Sequence, residues 1–340
     1  MTRARDLADT QDNLGGAVAP FVAGKNAIIN GNFDIWQRST SFVPTQSTTM
    51  LGSADRWWTF YNGAVVGSNT VSRQTFSPGQ TTVPGNPTYF IRTTSNGSAT
   101  QTATDYYQRV EDVSTFAGQT ATLSFWAQAS NSGIAAIYFE QNFGSGGSAT
   151  VDAALTLSAA NYTTTWAKYT ATFTLPSISG KTVGAGNYVA FRIRNFSSLV
   201  SGTFDLAQVQ LELGSVATPF SRAGGSIGAE LALCQRYYYR TPPPVGSSDR
   251  ITIFGTCTGT TECRVNIPMP VQMRIAPSAV DFANLRAYDG AGFPTVTSLS
   301  LGSVTPGVAE VITVGTGYTA YRPTAIANNT NGYIGLTAEL

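Results

Sequence analysis

The 340-residue sequence predicts an all-β protein: a long antiparallel β-sandwich, then a smaller C-terminal β-domain, joined by one short helix. Three observations carry this reading. Runs with period-two alternation recur from Asn26 to about Arg222, the mark of sheets with one buried face. Joints rich in Gly, Pro and Ser separate them at Ser77 to Pro87, Gly144 to Ser148 and Ser177 to Gly186. A helical period appears only over Ser226 to Arg240.

Taken in order, residues 1–25 form a polar, then Gly/Ala-rich arm with no period long enough for a core. Asn26 to Arg38, NAIINGNFDIWQR, reads as strand, turn at Asn30-Gly31-Asn32 and second edge. Further on, alternation turns Leu123, Phe125 and Ala127 inward, then Ile137 and Phe139, then Val189, Phe191 and Ile193. In the closing run, Phe204 to Leu213, parity switches between Leu206 and Val209, which predicts a β-bulge near Ala207-Gln208. Ser226 is placed to cap a helix whose Ile227, Leu231, Cys234 and Tyr238 share a face, and Pro242, Pro243 and Pro244 are expected to stop it. After the prolines, a three-residue loop at Gly259 to Thr261 pairs Cys257 with Cys263 across a hairpin, both expected as reduced thiols. The final run places Ile334, Leu336, Ala338 and Leu340 on one face. Gly290 to Gly292 and Asn328 to Asn331 read as polar loops of the kind that carry binding residues.

Composition excludes several functions. Charged residues are 11% of the chain and the formal net charge is +1, so nothing predicts nucleic-acid binding or attraction to an anionic membrane. Histidine, the commonest general base near neutral pH and the commonest metal ligand, is absent. No run approaches the ~20 apolar residues of a membrane span, and the N-terminus lacks the apolar segment of a secretory signal. Three cysteines argue against a disulfide framework. Together these imply synthesis in the cytoplasm without membrane insertion.

Several phrases then carry a resemblance: NGNFDIWQR, ADRWW at Ala54 to Trp58, VQLELGSVATPF, GAELALCQRYYYR and PMPVQMRIAPSAV. Together, from about Asn26 to Leu340, they resemble bacteriophage tail fibre and receptor-binding proteins that contain a carbohydrate-binding-module-like jelly roll. The resemblance implies an N-terminal attachment arm over residues 1–25, a jelly roll over 26–222, a helical linker over 223–244 that also packs between subunits, and a C-terminal β-sandwich over 245–340. It further implies a homotrimer on the virion, attached to phage tail or baseplate proteins through the arm, with a host cell-surface glycan as ligand. A structural calcium between opening and closing strands is implied at Asn32, Asp34 and Asp205, with turn-capping hydrogen bonds as the alternative. No other cofactor is expected.

Sugar binding would use aromatic faces. Tyr106, Tyr107, Trp126 and Tyr138 are the candidates, because alternation turns at least one of each pair outward; subunit packing competes for the same residues. Trp36, Trp57 and Trp58 lie in the shared phrases and are assigned to the core. Catalysis is not expected: Asp105, Glu111, Asp112 and Glu140 are the acids that could face a groove, and exposed strand acids are usually solubilising. The expectation is therefore a non-enzymatic virion adhesin. A free carbohydrate-binding module is the alternative, and a glycan-degrading tailspike a weaker one, since no internal repeat is present.

Overall fold

The computed structural model describes residues 24–44, 49–62, 69–96, 103–131, 135–196, 201–241, 249–252, 255–290 and 292–340. The attachment arm, apart from Gly24 and Lys25, and Pro242 to Pro244 lie outside the described residues.

The all-β expectation holds. The first six strands are β1 (Ser41–Phe42), β2 (Thr49–Met50), β3 (Trp58–Asn62), β4 (Thr70–Thr75), β5 (Tyr89–Asn96) and β6 (Ala103–Glu111). The next six are β7 (Thr120–Ala129), β8 (Ala136–Asn142), β9 (Val151–Leu155), β10 (Ala167–Thr174), β11 (Tyr188–Phe196) and β12 (Ser201–Leu213). They form two antiparallel six-stranded sheets: a back sheet ordered β1-β4-β5-β12-β7-β10 and a front sheet ordered β2-β3-β6-β11-β8-β9. The core between them contains the inward residues that alternation predicts, with Phe125, Phe139 and Phe191 at 0%, 5% and 2% exposure. The bulge also lies where parity requires it. Pairing of β12 with β7 shifts between Ala207 and Gln210, and Gln208 adopts a φ of 50°.

The opening stretch is corrected. Asn26 to Arg38 contains no strand; it is a chain of turns laid against the bulged part of β12. Asn26 holds it there. Its Oδ1 accepts from the Ile28 and Leu211 amides, and its Nδ2 donates to the Val209 and Ser221 carbonyls. The Val209 amide in turn donates to Gly31 O at 2.8 Å. Gly31 is required by this approach, because a Cβ there would meet Val209 O at 2.1 Å. Gly31→Ala is expected to destabilise the protein by about 3 kcal/mol, the upper end for overpacking. Urea unfolding checks this, and an unchanged midpoint would refute the close packing.

Helix α1 (Ile227–Gln235) begins at Ser226, whose Oγ accepts from the Ala229 amide at 3.3 Å. Its buried face follows the apolar stripe only in part: Cys234 is buried and Leu231 half-buried as predicted, but the first turn departs from it. Ile227 is 52% exposed, whereas Glu230 and Cys234 are buried. Burial raises the Glu230 pKa, with Gly224 and Asn30 amides bonded to the carboxylate opposing the shift. The helix ends at Gln235, well before the prolines, because the chain turns at once into β13 (Tyr238–Arg240).

β13 joins β14 (Gly255–Cys257), β15 (Glu262–Pro268), β16 (Ala279–Tyr288), β17 (Val296–Val304), β18 (Val308–Gly315) and β19 (Pro323–Thr337). These make a single curled half-barrel sheet of seven strands, not the expected C-terminal sandwich. The long β19 causes the curl: it pairs with β13, β14 and β16, so the sheet folds over its own apolar face. Asn328 to Asn331 is therefore not a loop. It lies within β19, where Thr330 and Asn331 take positive φ opposite the register shift at Asn284. Cys257 and Cys263 pair as parity predicts, with Cα atoms 3.7 Å apart, but they form a disulfide, which corrects the expected free thiols. Ile334, Leu336 and Ala338 are fully buried.

The half-barrel is fastened to the sandwich by polar side chains. Arg38 and Arg56 both reach the Glu339 carboxylate. Arg109 donates to Leu340 O. Within the half-barrel, Arg274 donates to the Ala338 and Glu339 carbonyls and holds that last segment in place. Arg240 donates to Gln37 O and Arg38 O at 2.8 and 2.6 Å.

Candidate functional site

The outer face of the front sheet presents an aromatic and cationic row. Register aligns it: Trp58 on β3 pairs with Tyr107 on β6, Tyr107 with Arg192 on β11, and Arg192 with Tyr138 on β8. Four adjacent strands thus place four large side chains at one level, across three spacings of about 4.8 Å, or ~14 Å. Each points outward because its neighbours Thr59, Tyr106, Ile193 and Ile137 point into the sandwich.

Rings and guanidinium groups interleave along this row. Trp58 and Tyr107 stack at 6.0 Å with planes 15° apart. Arg109 lies 4.7 Å from both the Trp58 and Tyr188 ring centres, while Arg192 and Arg194 flank Tyr138 at 5.3 and 4.8 Å. Acids balance part of the charge. Arg194 grips Asp105 with two bonds of 2.8 and 3.1 Å, and Arg192 pairs with Asp152. Burial pushes the Tyr188 hydroxyl up to about 12, so it stays protonated and donates to Glu140 at 3.0 Å. Arg109, which donates to Leu340 O, makes no ion pair with an Asp or Glu side chain among the described residues.

Three donors on this face lack acceptors among the described residues: Trp58 Nε1, Arg109 Nε and Arg192 Nε. Buried donors in native proteins nearly always find an acceptor, so these three are unmet bonding capacity lying just beneath the aromatic row. The face combines ring surfaces with directed donors, the two things that a polyhydroxylated ligand needs.

Of the four predicted sugar-binding aromatics, two lie in this row: Tyr138, which is half-buried, and Tyr107, which points outward but is covered to 8% exposure beside Trp58 and Arg109. Tyr106 is corrected: it is fully buried, its hydroxyl turned to Thr93 inside the sandwich. Trp126 lies on the outer face of the back sheet, away from the other two. Trp57 is a core residue as expected, and Trp36 packs partly against the core. Trp58 is not. Its outward position was available from parity with Trp57, had the two been read as one alternating pair. Arg109, Tyr188 and Arg192 were missed as well, although Arg192 was visible as the outward partner of Phe191 and Ile193.

The calcium set does not assemble. Asp34 pairs with Arg222 at 2.9 Å and accepts from Asn32, while Asp205 is held by two bonds from Arg92 and one from Gln128. With each carboxylate engaged by an arginine, Asn32, Asp34 and Asp205 form no oxygen cage. No group of three or more His, Cys, Asp or Glu among the described residues could hold a metal. The turn is capped by Asn30, whose Oδ1 accepts from the Ile35 amide at 3.0 Å, whereas among the described residues the side chains of Asn32 and Asp34 bond only to each other and to Arg222.

No family model matches the sequence, and no curated protein matches it. Similar solved structures include the enzymatically active domain of tailspike protein 4 from bacteriophage CBA120, at 15% identity over 56% of this chain and TM-score 0.34. The chain spans 22% of that protein. TmCBM61, solved with β-1,4-galactotriose, is 12% identical, with 56% of this chain and 99% of that one covered and a TM-score of 0.30. A Stig cyclase, Fisc from Fischerella sp. TAU, is 12% identical over 58% of this chain and all of its own, at TM-score 0.36. At such values the likeness is a distant one of fold. It extends to a carbohydrate binder and a cyclase alike and carries no argument about this chain's ligand.

Proposed function

We propose that the protein is a non-enzymatic adhesin of a phage tail fibre that binds a host cell-surface glycan on the front face of its sandwich. The observation that supports this most is the row Trp58–Tyr107–Arg192–Tyr138, with Arg109 beside it and three donors of the cluster unpartnered among the described residues. Sugar rings laid across the strands would stack on Trp58 and Tyr138, and their oxygens would accept from the partly exposed Arg192 guanidinium. The paired state of Asp105 and Glu140 favours binding over hydrolysis, since neither is poised as a free acid or base.

Titrating the full chain with host surface polysaccharide is expected to give saturable binding that weakens at least tenfold, about 1.4 kcal/mol, in Trp58→Ala and in Tyr138→Ala. Unchanged affinity in both would remove the front face from the reading. The same incubation should release no reducing ends; release that disappears in Glu140→Gln would make the protein a hydrolase.

The virion role, the homotrimer and attachment through residues 1–25 belong to the same proposal and rest on the sequence phrases quoted above. Deleting residues 1–25 should leave a trimer that binds host cells but no longer enters particles. A wild-type chain that never co-purifies with particles would favour the free carbohydrate-binding module instead.

A further inference from the structure

The outer face of the back sheet holds a cavity of about 390 Å3, near the small end of ligand pockets, which span roughly 300–1,000 Å3. Its floor is Trp126 on β7 and Lys168 on β10, and its sides are the loop at Pro84 and the segment leading through Phe220 to Arg222. Both sides are tied down. Gln208, turned out by the bulge, donates to Pro84 O at 2.6 Å. Phe76, Phe90 and Trp166 pack beneath that loop with ring centres 4.7 to 5.3 Å apart. Across the cavity, Glu212 accepts from the Thr218 amide and hydroxyl at 2.9 and 2.6 Å. The cavity is thus preformed.

Its polar groups are specific. Asn32 lines the cavity at 4% exposure. Its Nδ2 donates to both oxygens of Asp34, which settles the orientation of the amide and leaves Oδ1 with no donor among the described residues. Arg222 neutralises Asp34. Lys168 makes no ion pair among the described residues; its ammonium reaches only Thr218 O, at 3.5 Å. Partial burial holds the Lys168 pKa below the usual lysine value, Glu212 opposing that shift and Lys25 adding to it. The cavity therefore presents an indole surface, one buried acceptor in need of a hydroxyl, and one cation in need of an anion.

We propose that this cavity binds an acidic pyranose, a hexuronate-type residue. Its ring would stack on Trp126, a hydroxyl would donate to Asn32 Oδ1, and its carboxylate would accept from Lys168. It would be a second carbohydrate site, on the opposite face of the sandwich from the Tyr138 row and independent of it. A glycan mixing neutral and acidic residues would then engage both faces of neighbouring chains and gain avidity without new contacts.

Calorimetric titration of the full chain with digalacturonate and with neutral digalactose tests this. Saturable binding of digalacturonate is expected, at least tenfold tighter than that of digalactose. Lys168→Gln, which gives up one long hydrogen bond to Thr218 O and no ion pair among the described residues, should erase that preference. Trp126→Ala should weaken binding at least tenfold, with near-native circular dichroism confirming its fold, and Tyr138→Ala should leave digalacturonate binding unchanged. Equal affinity for the two sugars, binding insensitive to Lys168→Gln, or no saturation by digalacturonate would each overturn the proposal. None of these results would bear on the front face, which is judged by host polysaccharide and Trp58→Ala.

Discussion

Replacing Arg56 with methionine is expected to lower the unfolding free energy by about 3–5 kcal/mol, as breaking a buried ion pair from one side does. Arg56 is 1% exposed, and its guanidinium lies 3.4 Å from the Tyr237 ring centre. One nitrogen reaches Glu339 and another donates to Arg109 O at 2.7 Å. Methionine fills much of the volume but leaves the Glu339 carboxylate, at 4% side-chain exposure, facing only Arg38. The loss would fall on the junction between sandwich and half-barrel, since Arg56 belongs to one and Glu339 to the other. Glu339→Gln should cost a comparable amount. The double variant should cost clearly less than the sum, because the two remove one shared interaction. Urea unfolding of the three variants checks this. Additive losses, or a loss below 1 kcal/mol in Arg56→Met, would show that the pair does not hold the junction.

Phe125→Ala is the second large effect, again about 3–5 kcal/mol, from lost burial together with the cavity left behind. Phe125 has no exposure and stacks on Tyr169 at 5.6 Å, and β7 is flanked by β12 and β10, so its backbone has little freedom to collapse into the space. A substitution on the same strand but the other face, Gln128→Ala, removes one hydrogen bond to Asp205 and should cost far less. Thermal unfolding of both distinguishes them. Similar losses would mean that the face assignment of β7 carries no energetic weight.

That assignment was legible in the sequence because side-chain direction in a strand is local. Once Leu123, Phe125 and Ala127 face inward, Ser124, Trp126 and Gln128 must face outward, whatever the strand pairs with. The same logic located the bulge at Gln208 and paired Cys257 with Cys263. It failed where an element has no period. The opening turns of Asn26 to Arg38 take their shape from hydrogen bonds to β12, some 180 residues away in sequence, with Asn26 Nδ2 bonded to Val209 O. It held only in part at α1, where Cys234 is buried as the stripe predicts but the carboxylate of Glu230 is buried too, bonded to two amides that no helical pattern announces.

Alternation, parity and turn chemistry act over a few residues, so fold class, the inward residues of most sandwich strands and the hairpin register could be read from local pattern. Which sheet each strand joins was decided only by the tertiary structure. Trp126 and Tyr138 are equivalent in sequence, two outward aromatics on strands close together in the chain, yet β7 joins the back sheet and β8 the front. That choice separated the expected sugar-binding residues and brought Trp58, Tyr107 and Arg192 into one row with Tyr138. The Asn32–Trp126–Lys168 cavity arose in the same way, from segments whose contacts span well over a hundred residues. Alternation sets the face a residue occupies, but the partner across the sheet is chosen by long-range pairing and by the core the two sheets share, and no local pattern records that choice.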